Sequence, residues 1–597
     1  MKPPSNANGA SKSHEEQRQP SDVVSPDESI PNRPETSGKV LADAPDPGII
    51  AGESVAQVGA STSDFPSQPA ESRLESSGKS AFFVGAGILI SRIVGLIRQR
   101  VFAHYFGSSW VGDSFAAAFR IPNFLQNVFG EGALSASFIP VYAKLLAEGD
   151  EKEARRVANA IFGLLALITS VIVLIGVLGA PVIVTIIAAG FKDERRQLTI
   201  ELVRIFFPGA ALLVLSAWCL GVLNSHHRFF ISYTAPVVWN VSIISSLIFF
   251  GSRLELAPLA LAAAWGSVVG SALQFGVQLP TVLRLLKRFR PSLDVATGHV
   301  SHVIRNFFPV FMSRGVIQIS AFVDEFLATF LGQGAVVAMT YAQSLYTLPV
   351  SLFGMSVSAA ELPAMSKALG TDQVVAETLR NRLNPGLQRI AFFIVPSAMA
   401  FLALGDIIAG ALYQTGRFNR GDSIFVWSIL AGSSIGLLAS TLGRLYSSTF
   451  YALRNTRTPL RYAIVHVVLA TVLGYLCSIP LPRWLGIDQQ WGVAGLSASA
   501  SVAGWVEFVL LRKSLNQRIG RTGLPWLYVG QLVVAAIAGA IIAWAFKLLL
   551  GPWHPIPLAM IVLGSYGIVY FGVTFAFGIR ESRNLIYRGL RLLGLKR

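Results

Sequence analysis

Between residues 81 and 579 one apolar run follows another, fourteen in all, each long enough to cross the roughly 30 Å hydrocarbon layer of a bilayer. A backbone surrounded by lipid has to satisfy its own hydrogen bonds, so runs of this length resolve into helices. They are expected near 81–106, 111–143, 156–188, 197–224, 234–252, 257–286, 302–331, 336–367, 386–413, 423–452, 459–481, 491–514, 525–550 and 556–579. Composition agrees: charged residues are 14% of the 597, against about 25% in soluble domains, and the mean hydropathy is +0.55. The expected class is an all-α polytopic membrane protein.

The net charge of +16 does not mark a nucleic-acid binder, because the basic residues sit in short segments between apolar runs and no basic soluble domain exists. Cys219 and Cys477 are each isolated in an apolar run, which offers no disulfide framework, thiolate zinc site or CxxC pair. No metal and no cofactor is expected.

Residues 1–79 are rich in Ser, Pro, Glu and Ala, hold one aromatic (Phe65), and carry 12 acidic against 7 basic residues. Such a segment buries too little apolar surface to offset its ordering entropy and is read as a disordered cytoplasmic tail. It lacks the short apolar stretch and cleavage site of a signal peptide. Loops after even-numbered helices hold most of the Lys and Arg, such as Arg284, Lys287, Arg288, Arg290, Arg512 and Lys513, whereas the opposite loops hold few, such as Lys192, Arg195 and Arg196. Both termini are therefore expected in the cytoplasm.

The chain also repeats itself. When Pro140 is aligned with Pro363, "ALSASFIPVYAKLL" (133–146) lies over "SVSAAELPAMSKAL" (356–369), and "GVLNSHHRF" (221–229) has a counterpart in "YALRNTRTP" (451–459). The economical division is a tail (1–79), an N-lobe of helices 1–6 (80–290), a C-lobe of helices 7–12 (291–515), and a final pair with a basic tail (516–597). Internal duplication of this kind puts a substrate site at the interface of the repeats.

Ionisable residues inside a membrane face a bundle interior or a hydrated cavity. They concentrate in helices 1 and 2 (Arg92, Arg98, Arg100, Asp113, Arg120, Glu131) and helix 7 (Arg314, Asp324, Glu325), with Glu361 and Arg444 beyond. Spacings of seven and eleven put Asp113, Arg120 and Glu131 on one stripe of a continuous α-helix, and Arg314 and Glu325 repeat the eleven. These charges are expected to line a central cationic cavity between the lobes. Arg98, Arg100 and Asp113 lie toward helix ends, where snorkelling or capping would also account for them, and Glu131 and Glu361 would also serve as structural partners of an Arg. An excess of Arg suits an anionic cargo, and its planar fork suits phosphate oxygens.

Other motifs carry less. "GSSIG" (432–436) has no strand before it and reads as small-residue helix packing; His226 and His227 are adjacent without accompanying carboxylates; "NVS" (240–242) lies inside an apolar helix; and no GxxxxGK[ST] phosphate loop occurs.

"SRIVGLIRQ" (91–99), "DSFAAAFRIPNFLQNVFGEGALSASFIPVY" (113–142), "YAQSLYTLPVSLFG" (341–354), "LYQTGRF" (412–418) and "YALRNTRTP" (451–459) closely resemble, in order and spacing, the motifs of the MurJ (MviN) lipid II flippases of the MOP exporter superfamily. The resemblance runs from about 81 to 515. It implies fourteen helices in two six-helix lobes, a central cationic cavity, the bacterial inner membrane, and a cargo of undecaprenyl-pyrophosphate bearing the peptidoglycan building block. It also implies that Arg92 and Arg98 are cavity residues, with Asp113 and Glu131 matching the family's acids; Arg120 and Arg314 join them as substrate-binding candidates from the charge pattern. This chain departs from the family at Ser344, where Arg is usual, at Gln343 and Gln99, where an acid is usual, and at Gln126 and Asn127, where an Arg pair is common. Arg314 is a candidate to restore the missing charge.

The expected function is translocation of lipid II by alternating access, the alternative being another polyprenyl-linked glycan or an amphipathic solute. A membrane glycosyltransferase would need a metal-binding acidic pair, and no DxD or DDxxD occurs; a scaffold would make the buried Arg residues expendable. Coupling to a monovalent cation or to the membrane potential, and contact with the cell-wall synthesis machinery, are left open at this stage.

Overall fold

The computed structural model describes residues 70–295, 298–367, 371–551 and 553–592; side chains at 70–86, 88, 130–131, 312–321, 589–590 and 592 lie outside the description. The segment expected to be disordered lies, up to residue 69, outside the described residues. Helix α1 (Ala70–Phe106) nevertheless starts inside the range assigned to that tail. Extending an existing helix adds a hydrogen bond per residue without a new nucleus, so polar residues free of proline can join it.

Each apolar run contains a helix. The second run is α2 (Trp110–Leu125), a π-helical segment Gln126–Leu134, and α3 (Ser135–Ala147). There follow α4 (Glu151–Leu178), α5 (Ala180–Ile187), α6 (Asp193–Ser225), α7 (Phe229–Phe250), α8 (Leu256–Leu286) and α9 (Gly298–Ala328). The eighth run is again broken, into α10 (Ala335–Pro349), a π-helical segment Val350–Met355, and α11 (Ser356–Ser366). The remainder is α12 (Asp372–Tyr413), α13 (Arg420–Ala452), α14 (Arg457–Ser478), α15 (Pro480–Leu485), α16 (Gly492–Ile519), α17 (Trp526–Leu550), α18 (Pro555–Ala576) and α19 (Arg580–Leu592). Among the described residues 11 helices or helix pairs are long and apolar enough to cross a membrane, which makes this a multi-pass membrane protein. The other runs, α1, α2–α3 and α9, are those in which most of the charge within apolar runs is concentrated. Apolar side chains such as Leu174, Ile186, Leu549 and Ile568 cover the outside, and Trp484 and Trp526 stand exposed near helix ends, where indole rings favour the headgroup level.

Both π segments follow a proline, Pro122 and Pro349, which removes a helical donor and crowds the preceding turn. A wider turn relieves that crowding. In the alignment of Pro140 with Pro363, the two segments fall at matching positions. The packing matches too. In the first group α1 packs on α7, α2 on α6, α4 on α6, α6 on α8 and α7 on α8; in the second, α9 packs on α14, α10 on α13, α12 on α13, α13 on α16 and α14 on α16. The turns after α6 and α13 also close alike: His227 and Arg454 take positive φ (58° and 55°), and the next N–H, from Arg228 or Asn455, reaches back to Leu223 or Phe450. Helices α17 and α18 pack on each other and on α12. Helix α9 is the shared element, lying against α3, α4 and the first π segment on one side and α14 and α16 on the other.

Polar caps fix several helix starts. Asp150 accepts from the Glu153 N–H before α4, and Asn419 and Asp422 form a reciprocal capping box before α13. Asn419→Ala is expected to cost about 1 kcal/mol, read as a lower melting midpoint of the detergent-purified protein, with Asn419→Ser close to wild type.

Candidate functional site

Several of the charged residues lie at the seam where the first helix group borders α9 and the α10–α11 run. Two contacts form a ladder between α1 and the eighth run. The Arg92 guanidinium donates to Ser351 Oγ at 3.1 Å, and the Gln99 amide donates to Ser344 Oγ at 3.1 Å. Positions 92 and 99, like 344 and 351, are seven apart, two turns along one face; one series rises as the other falls, so the two helices run antiparallel. Gln99 and Ser344 are both positions where the sequence departs from the family it resembles, and the structure joins them to each other. Both partners are neutral, so the contact adds no charge to the seam.

Arg98, one position from Gln99, turns the other way. Its guanidinium carbon lies 4.9 Å from the ring centre of Phe119 and 5.5 Å from that of Trp239, two rings stacked 5.4 Å apart within the first helix group. Arg92 and Arg98 thus face different neighbours. Arg120 crosses the seam to an ion pair with Glu325 of α9, whose carboxylate side chain is only 5% exposed. Around it, Phe124 packs on Phe322 and Phe129 on Phe307 and Phe311, so α9 is held to the α2–α3 run by rings as well as by charge.

Asp113 takes the capping role that its place toward a helix end also allowed. It is fully buried and clasps the start of α10: Oδ2 accepts from Arg195 at 2.7 Å and from the Gly334 N–H at 2.6 Å, and Oδ1 from the Val337 N–H at 2.8 Å. A carboxylate at a helix N-terminus meets unsatisfied N–H groups and the positive end of the helix dipole. Gly334 makes this approach possible: its φ is +82°, and a Cβ there would stand 2.6 Å from the Ser108 carbonyl oxygen. The same end is tied by Arg100, which donates to the carbonyls of Ala411 and Leu412, both at 2.8 Å, by Tyr341 to the Gly107 carbonyl, and by the Arg417 N–H to the His104 carbonyl. Arg100 is therefore a cap of α12.

The continuous stripe of Asp113, Arg120 and Glu131 does not hold. Its eleven-residue step assumes an unbroken α-helix, and the backbone from Gln126 to Leu134 runs as π-helix, whose residues advance by less than 100° each. Asp113 meets a helix start and Arg120 a carboxylate. The side chains of Glu131 and Arg314 lie outside the described residues. Reading the sequence missed Ser351, Arg195 and Gly334 as partners. The available signal was charge balance, since a carboxylate so deep requires a cation or several N–H donors, but nothing in the chain order points from 113 to 195 or 334.

Asp113→Ala is expected to cost about 3–5 kcal/mol, because it strands Arg195 and two backbone N–H groups, and to lower the melting midpoint steeply. Arg120→Leu and Glu325→Leu are each expected to destabilise, and the double variant to recover most of the loss. A double-mutant cycle by thermal unfolding checks this, and additive single effects would show that the pair is not coupled.

A family model described as "Lipid II flippase MurJ" matches residues 102–564. A probable lipid II flippase MurJ of Rhizobium tropici is 29% identical over 512 residues, covering 83% of this chain and 93% of its own. The lipid II flippase MurJ of Burkholderia cenocepacia is 30% identical over 510 residues, covering 83% and 96%. Among solved structures, a lipid II flippase MurJ in an inward closed conformation superposes with a TM-score of 0.70 at 24% identity, covering 85% of this chain and 100% of that one. An inward-facing multidrug resistance MATE transporter of the MOP superfamily gives 0.57 at 17% identity, covering 71% and 95%; both likenesses concern the fold. On the extent of the family match and the identity of these relatives, the chain belongs to the lipid II flippase MurJ family, a family of transporters.

Proposed function

We propose that this chain translocates lipid II, the undecaprenyl-pyrophosphate-linked peptidoglycan precursor, across the bacterial inner membrane by alternating access. The observation that carries the reading is the seam contact of Arg92. Its partner there is a neutral hydroxyl, so the contact leaves its positive charge unbalanced, on a helix face turned to the other helix group. A diphosphate group is the kind of ligand that such an Arg binds through two oxygens at once. Arg98 adds a second cation next to the ladder, and rotation of its side chain off the Phe119–Trp239 stack would bring it toward the same headgroup. Arg120 and Arg314 complete the proposed substrate contacts, with Asp113 and Glu131 shaping the site.

In this reading all fourteen helical runs cross the membrane, with both termini in the cytoplasm. Two six-helix lobes, 80–290 and 291–515, derive from a duplication, which the matching π segments and packing pairs support, and α17–α18 form the added pair in 516–597. A central cationic cavity opens between the lobes when the seam parts. The Asp113 clasp, the Arg100 cap and the Gln99–Ser344 contact hold the Gly107 end shut, and the cargo reaches that side only after they release. The neutral Gln99–Ser344 pair is the feature most apt to alter cargo choice, so lipid II and other polyprenyl pyrophosphates should be compared directly.

Complementation of a flippase-depleted bacterium is expected from the wild-type chain and not from Arg92→Ala. Purified wild-type protein is expected to bind lipid II at least tenfold more tightly than Arg92→Ala does. Growth and equal binding with Arg92→Ala would overturn the role given to that guanidinium.

A further inference from the structure

Helix α19 (Arg580–Leu592) takes no part in the seam. Its 13 residues extend about 20 Å at 1.5 Å per residue, too short to cross the roughly 30 Å hydrocarbon layer. The preceding α18 is long and apolar enough to do so; its 22 residues extend about 33 Å and bring its end to the hydrocarbon edge. The turn that follows is fixed. Gly578 takes φ +76°, the Ile579 N–H reaches back to the Thr574 carbonyl at 3.1 Å, and Ile579 is buried in the core shared by α12, α17 and α18. Ser582 Oγ then donates to the Phe571 carbonyl at 3.1 Å. Arg583 folds back over Gly578, where a Cβ would stand 3.1 Å from its Nη2, so its guanidinium covers the negative end of the α18 dipole.

The rest of α19 has two unlike halves. At 100° per residue, Arg580, Asn584, Arg588 and Arg591 fall within about 80° of one another, and all four are exposed. The sequence places Leu or Ile at 585, 586, 590 and 592, on the opposite half, and Leu585 is 39% exposed. The single carboxylate of the helix, Glu581, acts on Tyr528 of α17. Tyr587 meets Phe575 of α18 edge-on, ring centres 6.3 Å apart, and Phe575 is itself 37% exposed among the apolar side chains of the outside. The helix therefore turns toward the side of α18 where lipid stands.

We propose that α19 is a binding site for anionic phospholipid. It lies in the headgroup layer, with Arg580, Arg588 and Arg591 on lipid phosphates and Leu585 and Ile586 at the acyl boundary. Two observations select the bilayer as the occupant. The three residues Phe577–Ile579 reach at most about 10 Å, so α19 begins within or beside the headgroup layer at the end of α18. A row of arginines set against an apolar half is also the arrangement that holds a helix in the plane of an anionic surface, and the guanidinium fork fits phosphate oxygens. Bound in this way, α19 fixes the depth of the α17–α18 pair according to the charge of the membrane around it.

The test contains no lipid II, so its outcome is independent of the proposed function. Single spin labels are placed at Asn584 or Leu585 of the full chain, in a Cys219→Ala/Cys477→Ala background, and the ratio of oxygen to nickel-chelate accessibility is measured in nanodiscs of phosphatidylcholine alone or with 30% phosphatidylglycerol. With phosphatidylglycerol the ratio is expected to be at least threefold higher at 585 than at 584, and the difference is expected to fall by half or more in phosphatidylcholine alone. Arg588→Glu/Arg591→Glu is expected to lose the difference in phosphatidylglycerol and regain it in nanodiscs containing a cationic lipid, a recovery that a misfolded helix would not show. Equal ratios at the two positions in phosphatidylglycerol overturn the proposal, and so does a difference indifferent to lipid charge. Failure of the cationic lipid to restore the charge-reversed variant overturns it too. A difference that arises only when a soluble cell extract is added assigns the face to a protein partner and overturns it equally.

Discussion

A carboxylate withdrawn from water into a membrane has to be met by donors that are themselves fixed in place, and Asp113 shows how far that requirement organises this protein. Its two oxygens draw in a guanidinium from α6 and two backbone N–H groups from the start of α10, so three parts of the chain are positioned by one side chain. Gly334 is dictated by the same contact, because only a residue without a Cβ lets the turn at Ser108 come so close. Glu325 repeats the logic on α9 with Arg120 as its donor. The seam between the helix groups is thereby a set of local charge solutions set in apolar packing.

Those solutions differ in strength along the seam. The Asp113 clasp and the Arg120–Glu325 pair hold buried charge, and removing one partner is far costlier than losing a neutral contact. The ladder of Arg92–Ser351 and Gln99–Ser344 uses hydroxyl acceptors, each worth about 0.5–1.5 kcal/mol net. Losing a rung of the ladder therefore costs far less than opening either buried ion pair.

Much of the fold is legible from hydropathy because lipid leaves a chain few options. Each apolar run contains a helix, 11 helices or helix pairs among the described residues are long and apolar enough to cross a membrane, and packing pairs and π segments fall at matching positions in the Pro140–Pro363 alignment. The π segments themselves were invisible, since a wide turn depends on how neighbours accommodate the crowding at Pro122 and Pro349. That omission propagated into the site: a stripe drawn at 100° per residue from Asp113 to position 131 crosses a stretch where the rule fails. Arg92, Arg98 and Arg120 stand out in the sequence because a guanidinium deep in an apolar run is conspicuous. Their partners were not, because Ser351 and Trp239 look like ordinary membrane residues and the pairing spans as many as 259 positions of sequence.

The Gln99–Ser344 contact joins two part-buried side chains that stand 245 positions apart in the chain. Both partners are neutral, so a charge introduced at one of them alone would stand without a counterion in a part-buried seam. A laboratory lineage that installs an ion pair there has to change both residues together or pass through a weakened intermediate.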